Sequence, residues 1–127
     1  MTRILIVEDE PTLAGAMSMV LAGAGHEIVG IADDQDSAIW QAAEGRPDLV
    51  LMDIKLAKNS DGIETVRRLQ AERPVPVVFV SSHLDSRMRE HAASVHPAGY
   101  LVKPYSPQRL LEIVSALSAK ESAHALR

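Results

Sequence analysis

Short apolar runs, separated by polar and turn-forming residues, divide the chain into repeating units. Such runs are typical of strands buried on both faces of a sheet. The third run, Leu49–Met52, ends in the carboxylate of Asp53, as expected for a strand in the middle of a parallel sheet. The five predicted strands lie at residues 3–7, 27–32, 48–53, 77–80 and 99–102.

Between the strands, apolar residues recur at helical spacing. Pro11 suits the first turn of the first helix because its missing N–H costs nothing there, and Gly23 and Gly25 bracket the end of that helix. Four further helices are predicted. The second helix follows the Asp33–Asp34 turn and has its cap at Gly45, and the third contains the apolar stripe Ile63, Val66 and Leu69. The fourth is a charged helix over roughly Asp85–Val95, and the fifth is capped by Ser106.

The alternation of strands and helices predicts an α/β fold. It indicates a doubly wound, five-stranded parallel sheet with helices on both faces and right-handed connections. With neither an internal linker nor a low-complexity segment in sight, we expect one domain over residues 1–120 and a C-terminal tail over residues 121–127.

Composition narrows the class of protein. The 127 residues are 46% hydrophobic but only 3% aromatic, so the core must consist mainly of aliphatic side chains and methionine. The net charge of −4 argues against broad binding to nucleic acid or anionic membranes. There is no cysteine, no apolar segment of membrane-spanning length and no signal-peptide pattern, so we expect a cytoplasmic protein.

Reactive side chains follow four of the five predicted strands. Glu8 and Asp9 follow the first strand, Asp53 the third, Ser81 the fourth and Lys103 the fifth. Each could be ordinary turn chemistry by itself. Because parallel strands end at one edge of the sheet, however, we expect these groups to meet in a single crevice.

This combination of groups predicts phosphoryl chemistry. Clustered carboxylates raise each other's pKa unless a cation joins them, and hard oxygen ligands select Mg²⁺. A carboxylate beside the metal, Asp53, can act as a nucleophile and form an aspartyl-phosphate. Mg²⁺, the Lys103 ammonium and the Ser81 hydroxyl would then each bind one of the three equatorial phosphoryl oxygens.

The motifs at these strand ends resemble those of the receiver domain of bacterial two-component response regulators. The resemblance covers Arg3 to about Leu117 and implies a flavodoxin-like (βα)5 fold with strand order 2-1-3-4-5. It is carried by Ile6-Val7-Glu8-Asp9-Glu10, Leu51-Met52-Asp53, Asp61-Gly62, Val80-Ser81-Ser82 and Tyr100-Leu101-Val102-Lys103-Pro104.

The resemblance implies a phosphoacceptor and a metal site. Asp53 would accept the phosphoryl group from a histidine of a sensor kinase or a phosphotransfer protein. Asp9, Asp53 and the backbone carbonyl of Lys55 would bind Mg²⁺, and Glu8 would assist through metal-bound water. The chain would not be an enzyme beyond its own phosphoryl transfer and autodephosphorylation.

The resemblance also implies a switch. Lys103 and Ser81 would bind the phosphate, Tyr100 would change rotamer, and the Lys103–Pro104 bond would be cis, as X-Pro bonds permit. We expect the output face to be the fourth helix, fifth strand and fifth helix, over roughly residues 85–117. It would bind an unnamed downstream protein, or pair two copies in a homodimer, without direct nucleic-acid or membrane binding.

The sequence departs from the family pattern at Ser81 and in the loop after Asp53, where the usual proline is also absent. Ser81 stands where threonine is usual but keeps the hydroxyl, so switching should survive. The spacing from Asp53 to Asp61 is eight rather than the commoner seven, which places one inserted residue in the segment Ala57–Ser60. The Lys55 side chain either contacts the phosphate or points to solvent, and the sequence leaves both open.

Other functions fit the sequence less well. A phosphatase of the haloacid dehalogenase type would need an acid two positions after Asp53, where Lys55 stands. A flavodoxin-like cofactor carrier would need a phosphate-cradling loop where the acidic run Glu8–Glu10 lies. Within the receiver class, the methionine start and short tail favour a stand-alone regulator over a receiver excised from a longer DNA-binding protein.

Overall fold

The computed structural model describes residues 1–56, 60–82 and 85–125, with side chains as far as residue 118. The strands are β1 (Arg3–Val7), β2 (Glu27–Ala32), β3 (Leu49–Asp53), β4 (Val77–Ser81) and β5 (Gly99–Val102). The helices are α1 (Pro11–Gly23), α2 (Gln35–Gly45), α3 (Gly62–Glu72), α4 (Ser86–Ala93) and α5 (Pro107–Ala125).

The five strands form one parallel sheet in the order β2-β1-β3-β4-β5. This order confirms the predicted doubly wound sheet. β3 and β4 are buried along their whole length, which explains why their sequences are continuously apolar rather than alternating. Val7, Met52 and Phe79 lie side by side near the carboxyl edge, and this register brings the following residues together.

Helices cover both faces of the sheet because successive strand side chains point to opposite sides. Ile4 and Ile6 pack with α1 and α5, whereas Leu5 and Val7 pack with α2, α3 and α4. The core is aliphatic on both sides, and Phe79 is its one large aromatic residue with no exposed surface. Within the described residues, no helix has both the length and the apolar character that a membrane span requires.

The end of α2 differs from the prediction. Gly45 is the last helical residue rather than the cap, and Arg46 takes the left-handed conformation with φ of 46°. A side chain at position 45 would press on Val29, since a Cβ there would lie 3.0 Å from its Cγ2. The glycine therefore lets α2 pack closely against β2 without a shift of Val29, and the backbone turn falls on the next residue.

Two other helices have different bounds from those predicted. α4 ends at Ala93, two residues before the predicted end, and α5 continues to Ala125, into the segment predicted as a tail. The loop after β3 is less polar than expected, because Ile54 and Leu56 are buried. The predicted insertion falls largely on residues 57–59, which lie outside the described residues.

Candidate functional site

The carboxyl edge of the sheet forms a crevice of about 140 Å³ that brings the predicted groups together. Asp53 ends β3 and Ser81 ends β4, and each of these residues is 7% exposed. Asp9 and Lys103 also line the crevice. Glu8, which is 3% exposed, is held at the end of β1 because its N–H donates to the carbonyl of Ala32 over 2.9 Å.

Lys103 joins two of the three carboxylates. Its Nζ donates to Oε1 of Glu8 over 2.7 Å and to Oδ2 of Asp53 over 3.2 Å. The second oxygen of Glu8 accepts from the N–H of Glu10 over 3.3 Å. The ammonium therefore lies between a buried structural carboxylate and the predicted phosphoacceptor and offsets the negative charge of both.

The charge of Lys103 is stabilised by this setting. Partial burial alone lowers the pKa of its ammonium, but the hydrogen bond to Glu8 and the charges of Asp53 and Glu8 outweigh that effect. The pKa of Lys103 therefore lies above its ordinary value, and the group is a fixed cation at neutral pH.

The three carboxylates fit a divalent cation. One oxygen each from Glu8, Asp9 and Asp53 lie within 4.8 Å of one another. Partial burial, together with the hydrogen bond and the charge of Glu8, raises the pKa of Asp9. A hard cation would relieve this repulsion, and a donor set made only of oxygen atoms is the kind that Mg²⁺ prefers.

The loop after β3 fixes Asp53 from the other side. The backbone N–H of Lys55 donates to Oδ1 of Asp53 over 3.1 Å. Gly62 packs directly beneath this loop, since a Cβ there would collide with the carbonyl oxygen of Asp53, and its N–H donates to Ile54 over 2.8 Å. The side chain of Lys55 is exposed to solvent and also lines the crevice with Asp53 and Lys103.

The predicted switch residues also lie at this edge. The carbonyl of Ser81 accepts from the N–H of Lys103 over 2.8 Å, and the Lys103–Pro104 peptide bond is cis. Tyr100 is half-buried on β5, opposite Phe79 in the register of the sheet. Its ring stacks on that of Phe79, with 6.3 Å between the ring centroids.

Sequence reasoning missed two features of the site. Met88 of α4 lines the crevice with Asp53, although the sequence placed it only within a charged helix. The direct ion pair between Glu8 and Lys103 was not predicted either, although both residues were expected in this crevice. The position of Met88 in the first turn of α4, just after the β4 end, is a signal that could have indicated a place at the crevice.

Comparison with known families identifies the class of protein. The model of the response regulator receiver domain matches residues 4–115, which is most of the chain. The chain belongs to this family, and its role is that of a receiver domain in phosphorylation-based two-component signalling.

Individual relatives are longer than this chain. It is 35% identical over 124 residues to the phyllosphere-induced regulator PhyR of Methylorubrum extorquens, covering 96% of this chain and 46% of PhyR. It is 34% identical over 112 residues to the transcriptional regulatory protein PdtaR of Mycobacterium tuberculosis, covering 88% and 54%. The chain thus spans about half the length of these curated relatives.

Solved structures agree with this assignment. The signal receiver domain of a modulated diguanylate cyclase from Desulfovibrio desulfuricans is 32% identical, with a TM-score of 0.87 and 98% of each chain covered. A CheY-like receiver domain protein from Methanospirillum hungatei has a TM-score of 0.90 and 98% of each chain covered. Because this protein is only 22% identical, its similarity supports the fold and nothing beyond it.

Proposed function

We propose that the chain is a phosphorylation-activated switch in which Asp53 accepts a phosphoryl group from a phosphohistidine of a sensor kinase or phosphotransfer protein. The observation that carries the proposal is the position of Lys103, whose Nζ lies 3.2 Å from Asp53 and 2.7 Å from Glu8. A carboxylate that is buried, hydrogen-bonded and next to a fixed cation is oriented for attack on phosphorus.

Transfer of the phosphoryl group requires no reactant besides the phosphohistidine and a proton from solvent. A carboxylate oxygen of Asp53 forms a bond to phosphorus as the bond between phosphorus and the donor's imidazole nitrogen breaks, and the imidazole takes its proton from solvent. Lys103 and the hydroxyl of Ser81 would then bind phosphoryl oxygens, and the N–H of Lys55 already holds one carboxylate oxygen in place.

Mg²⁺ is the cofactor that this donor set supports. Asp9, Asp53 and the carbonyl of Lys55 would hold the ion, and Glu8 would act through water. When bound, the ion would neutralise charge on the phosphoryl oxygens. Glu8 already accepts from Lys103, so its contribution to the metal site is shared with the lysine.

A groove beside the crevice offers a surface for the phosphodonor. It has a volume of about 440 Å³ and runs between α1 and the start of α5, with Leu13, Val20 and Tyr105 in its walls and Lys103 at its crevice end. Helix α1 contains no charged residue, which is unusual for a helix on the surface. We infer that an apolar helix carrying the phosphohistidine packs into this groove and so covers the crevice.

The signal would leave through α4, β5 and α5. Movement of the Ser81 hydroxyl toward the phosphate would vacate space that the Tyr100 ring can fill. Met88 and Ala92 are the residues through which α4 joins the apolar cluster, so this helix can respond at low cost. Arg87 and Glu90 are exposed on its outer side, where a downstream protein or a second copy could pair with them.

Two alternatives are less well supported. A dehalogenase-type phosphatase would need an acid where the exposed Lys55 lies, so we propose that the chemistry is limited to phosphorylation and dephosphorylation of the chain itself. A receiver within a longer regulator is favoured by one observation, since the curated relatives are about twice as long. In that case the output face would bind a covalently linked domain.

Labelling with acetyl phosphate and Mg²⁺, followed by mass spectrometry, tests the proposal. We expect one phosphoryl group, on Asp53, and none on the Asp53→Asn variant. Lys55→Met, which changes an exposed side chain at the same crevice, is the matched control and should still be labelled. Equal labelling of wild type and Asp53→Asn would show that another residue is the acceptor.

A further inference from the structure

Arg89 of α4 packs on the predicted switch residue. The carbon atom at the centre of its guanidinium lies 5.0 Å from the centroid of the Tyr100 ring, which is the geometry of a cation–π contact. The same ring stacks on Phe79, with an angle of 29° between the two ring planes. Phe79 is fully buried and Arg89 is exposed, so the ring contacts both a core side chain and a surface cation.

The guanidinium of Arg89 contacts Tyr100 without a salt bridge beside it in the described residues. None of the described carboxylates forms an ion pair with this guanidinium, although Arg67, Arg68 and Arg109 all have one. A salt bridge of Arg89 to a described carboxylate therefore does not account for the position of the guanidinium over the ring.

The position of Arg89 in α4 links the contact to the phosphorylation crevice. Its neighbour Met88 lines the crevice together with Asp53 and Ser81, and it packs in the same apolar cluster as Tyr100. Asp85 caps this turn by accepting from the N–H of Met88 over 2.8 Å. One capped turn of α4 thus contacts both the crevice and the switch ring.

We propose that Arg89 is a latch that holds Tyr100 in the position seen here and so opposes activation. This proposal rests on the proposed function, in which the Tyr100 ring turns toward Ser81 when Asp53 is phosphorylated. Turning the ring removes its face from the guanidinium. Since the contact is made in only one of the two positions, Arg89 shifts the equilibrium toward that position.

The expected effect of Arg89 on the position of the Tyr100 ring is small, because their cation–π contact is exposed. Exposed cation–π contacts bias such an equilibrium by roughly two- to fivefold. Removing the guanidinium should therefore tighten binding of a phosphoryl mimic by about two- to fivefold, without any change in the groups that touch the mimic.

The test is the affinity for beryllofluoride in the presence of Mg²⁺, measured by amide NMR titration of wild type, Arg89→Gln and Arg68→Gln. Arg68 is an exposed arginine of α3 that pairs with Glu64, outside the crevice and the output face, and is the control. We expect tighter binding by Arg89→Gln and unchanged binding by Arg68→Gln. The gain should disappear when Arg89→Gln is combined with Tyr100→Leu and compared with Tyr100→Leu alone.

The outcomes separate the latch from the function it rests on. Equal affinity of wild type and Arg89→Gln, or a gain that persists without the Tyr100 ring, would overturn the latch and leave the proposed function standing. Absence of beryllofluoride binding in every variant would overturn the proposed function and the latch together.

Discussion

Replacing Lys103 by methionine would leave three neighbouring carboxylates without their cation. Methionine keeps much of the apolar stem of the lysine but removes the ammonium that joins Glu8 and Asp53. The side chain of Glu8 is only 2% exposed, so its charge would become buried and uncompensated. We expect the variant to fold but to be less stable than wild type in metal-free buffer.

The expected loss of stability is estimated from the two ion pairs of Lys103, with Glu8 and with Asp53. At an effective dielectric constant of about 20, the distances of 2.7 Å and 3.2 Å correspond to gross attractions of about 6 and 5 kcal/mol. Desolvation of the three groups offsets most of this attraction. Breaking a buried ion pair costs about 3–5 kcal/mol. Because 19% of the Lys103 side chain stays in water, we expect a loss at or below the lower end, about 2–3 kcal/mol.

The assay is urea unfolding at pH 7, followed by far-UV circular dichroism, with EDTA and then with saturating Mg²⁺. Lys103→Met should lose about 2–3 kcal/mol in EDTA, and part of this loss should return with Mg²⁺, since the ion supplies the missing positive charge. Glu8→Gln added to Lys103→Met should also recover stability, because it removes the uncompensated buried charge.

Lys55→Met is the control, because its side chain is an exposed cation near the same crevice. Its unfolding free energy should stay within about 0.5 kcal/mol of wild type. Wild-type stability of Lys103→Met in EDTA, or a difference that neither Mg²⁺ nor Glu8→Gln narrows, would contradict this prediction.

Three further predictions concern other parts of the site and fold. Asp9→Asn should weaken Mg²⁺ binding measured by calorimetry, yet stabilise the metal-free protein, because it removes a carboxyl whose pKa is raised by burial and by Glu8. Gly62→Ala should cost about 1–3 kcal/mol of unfolding free energy, because its methyl group would collide with the backbone of the loop after β3. Burial and the N-terminal charge lower the pKa of His26, whose Nδ1 accepts from the N–H of Thr2. The free energy of unfolding should therefore be at its full value above about pH 6.5 and should decrease as the pH falls below that value. His26→Asn should flatten this pH dependence.

Each of these has a clear contrary result. Unchanged Mg²⁺ affinity in Asp9→Asn would place the metal elsewhere. A Gly62→Ala protein with wild-type stability would mean that the loop can shift freely, and Gly15→Ala, at an open helical position, is its matched control. A pH dependence of unfolding that is identical with and without His26 would show that this imidazole does not titrate differently in the folded state.

The sequence by itself determined the elements and the groups at their ends. Strands buried on both faces must be continuously apolar, so the runs that end at Asp53 and Ser81 were visible without any structure. Parallel strands share one edge, so alternation with helices was enough to predict that Glu8, Asp53 and Lys103 would meet. The strand order came from the family resemblance, because alternation alone permits several orders.

Only the tertiary structure decided which groups touch. Lys103 pairs with Glu8 as well as with Asp53 because β1 and β3 are neighbours in the sheet, and no local pattern encodes that distance. Arg89 lies over Tyr100 because Met88 and Ala92 of α4 pack in the same apolar cluster as that ring, whereas the sequence around Arg89 indicates only an exposed helix face. Local periodicity reports whether a side chain faces the core or the solvent, but its partners depend on how elements far apart in the chain are packed together.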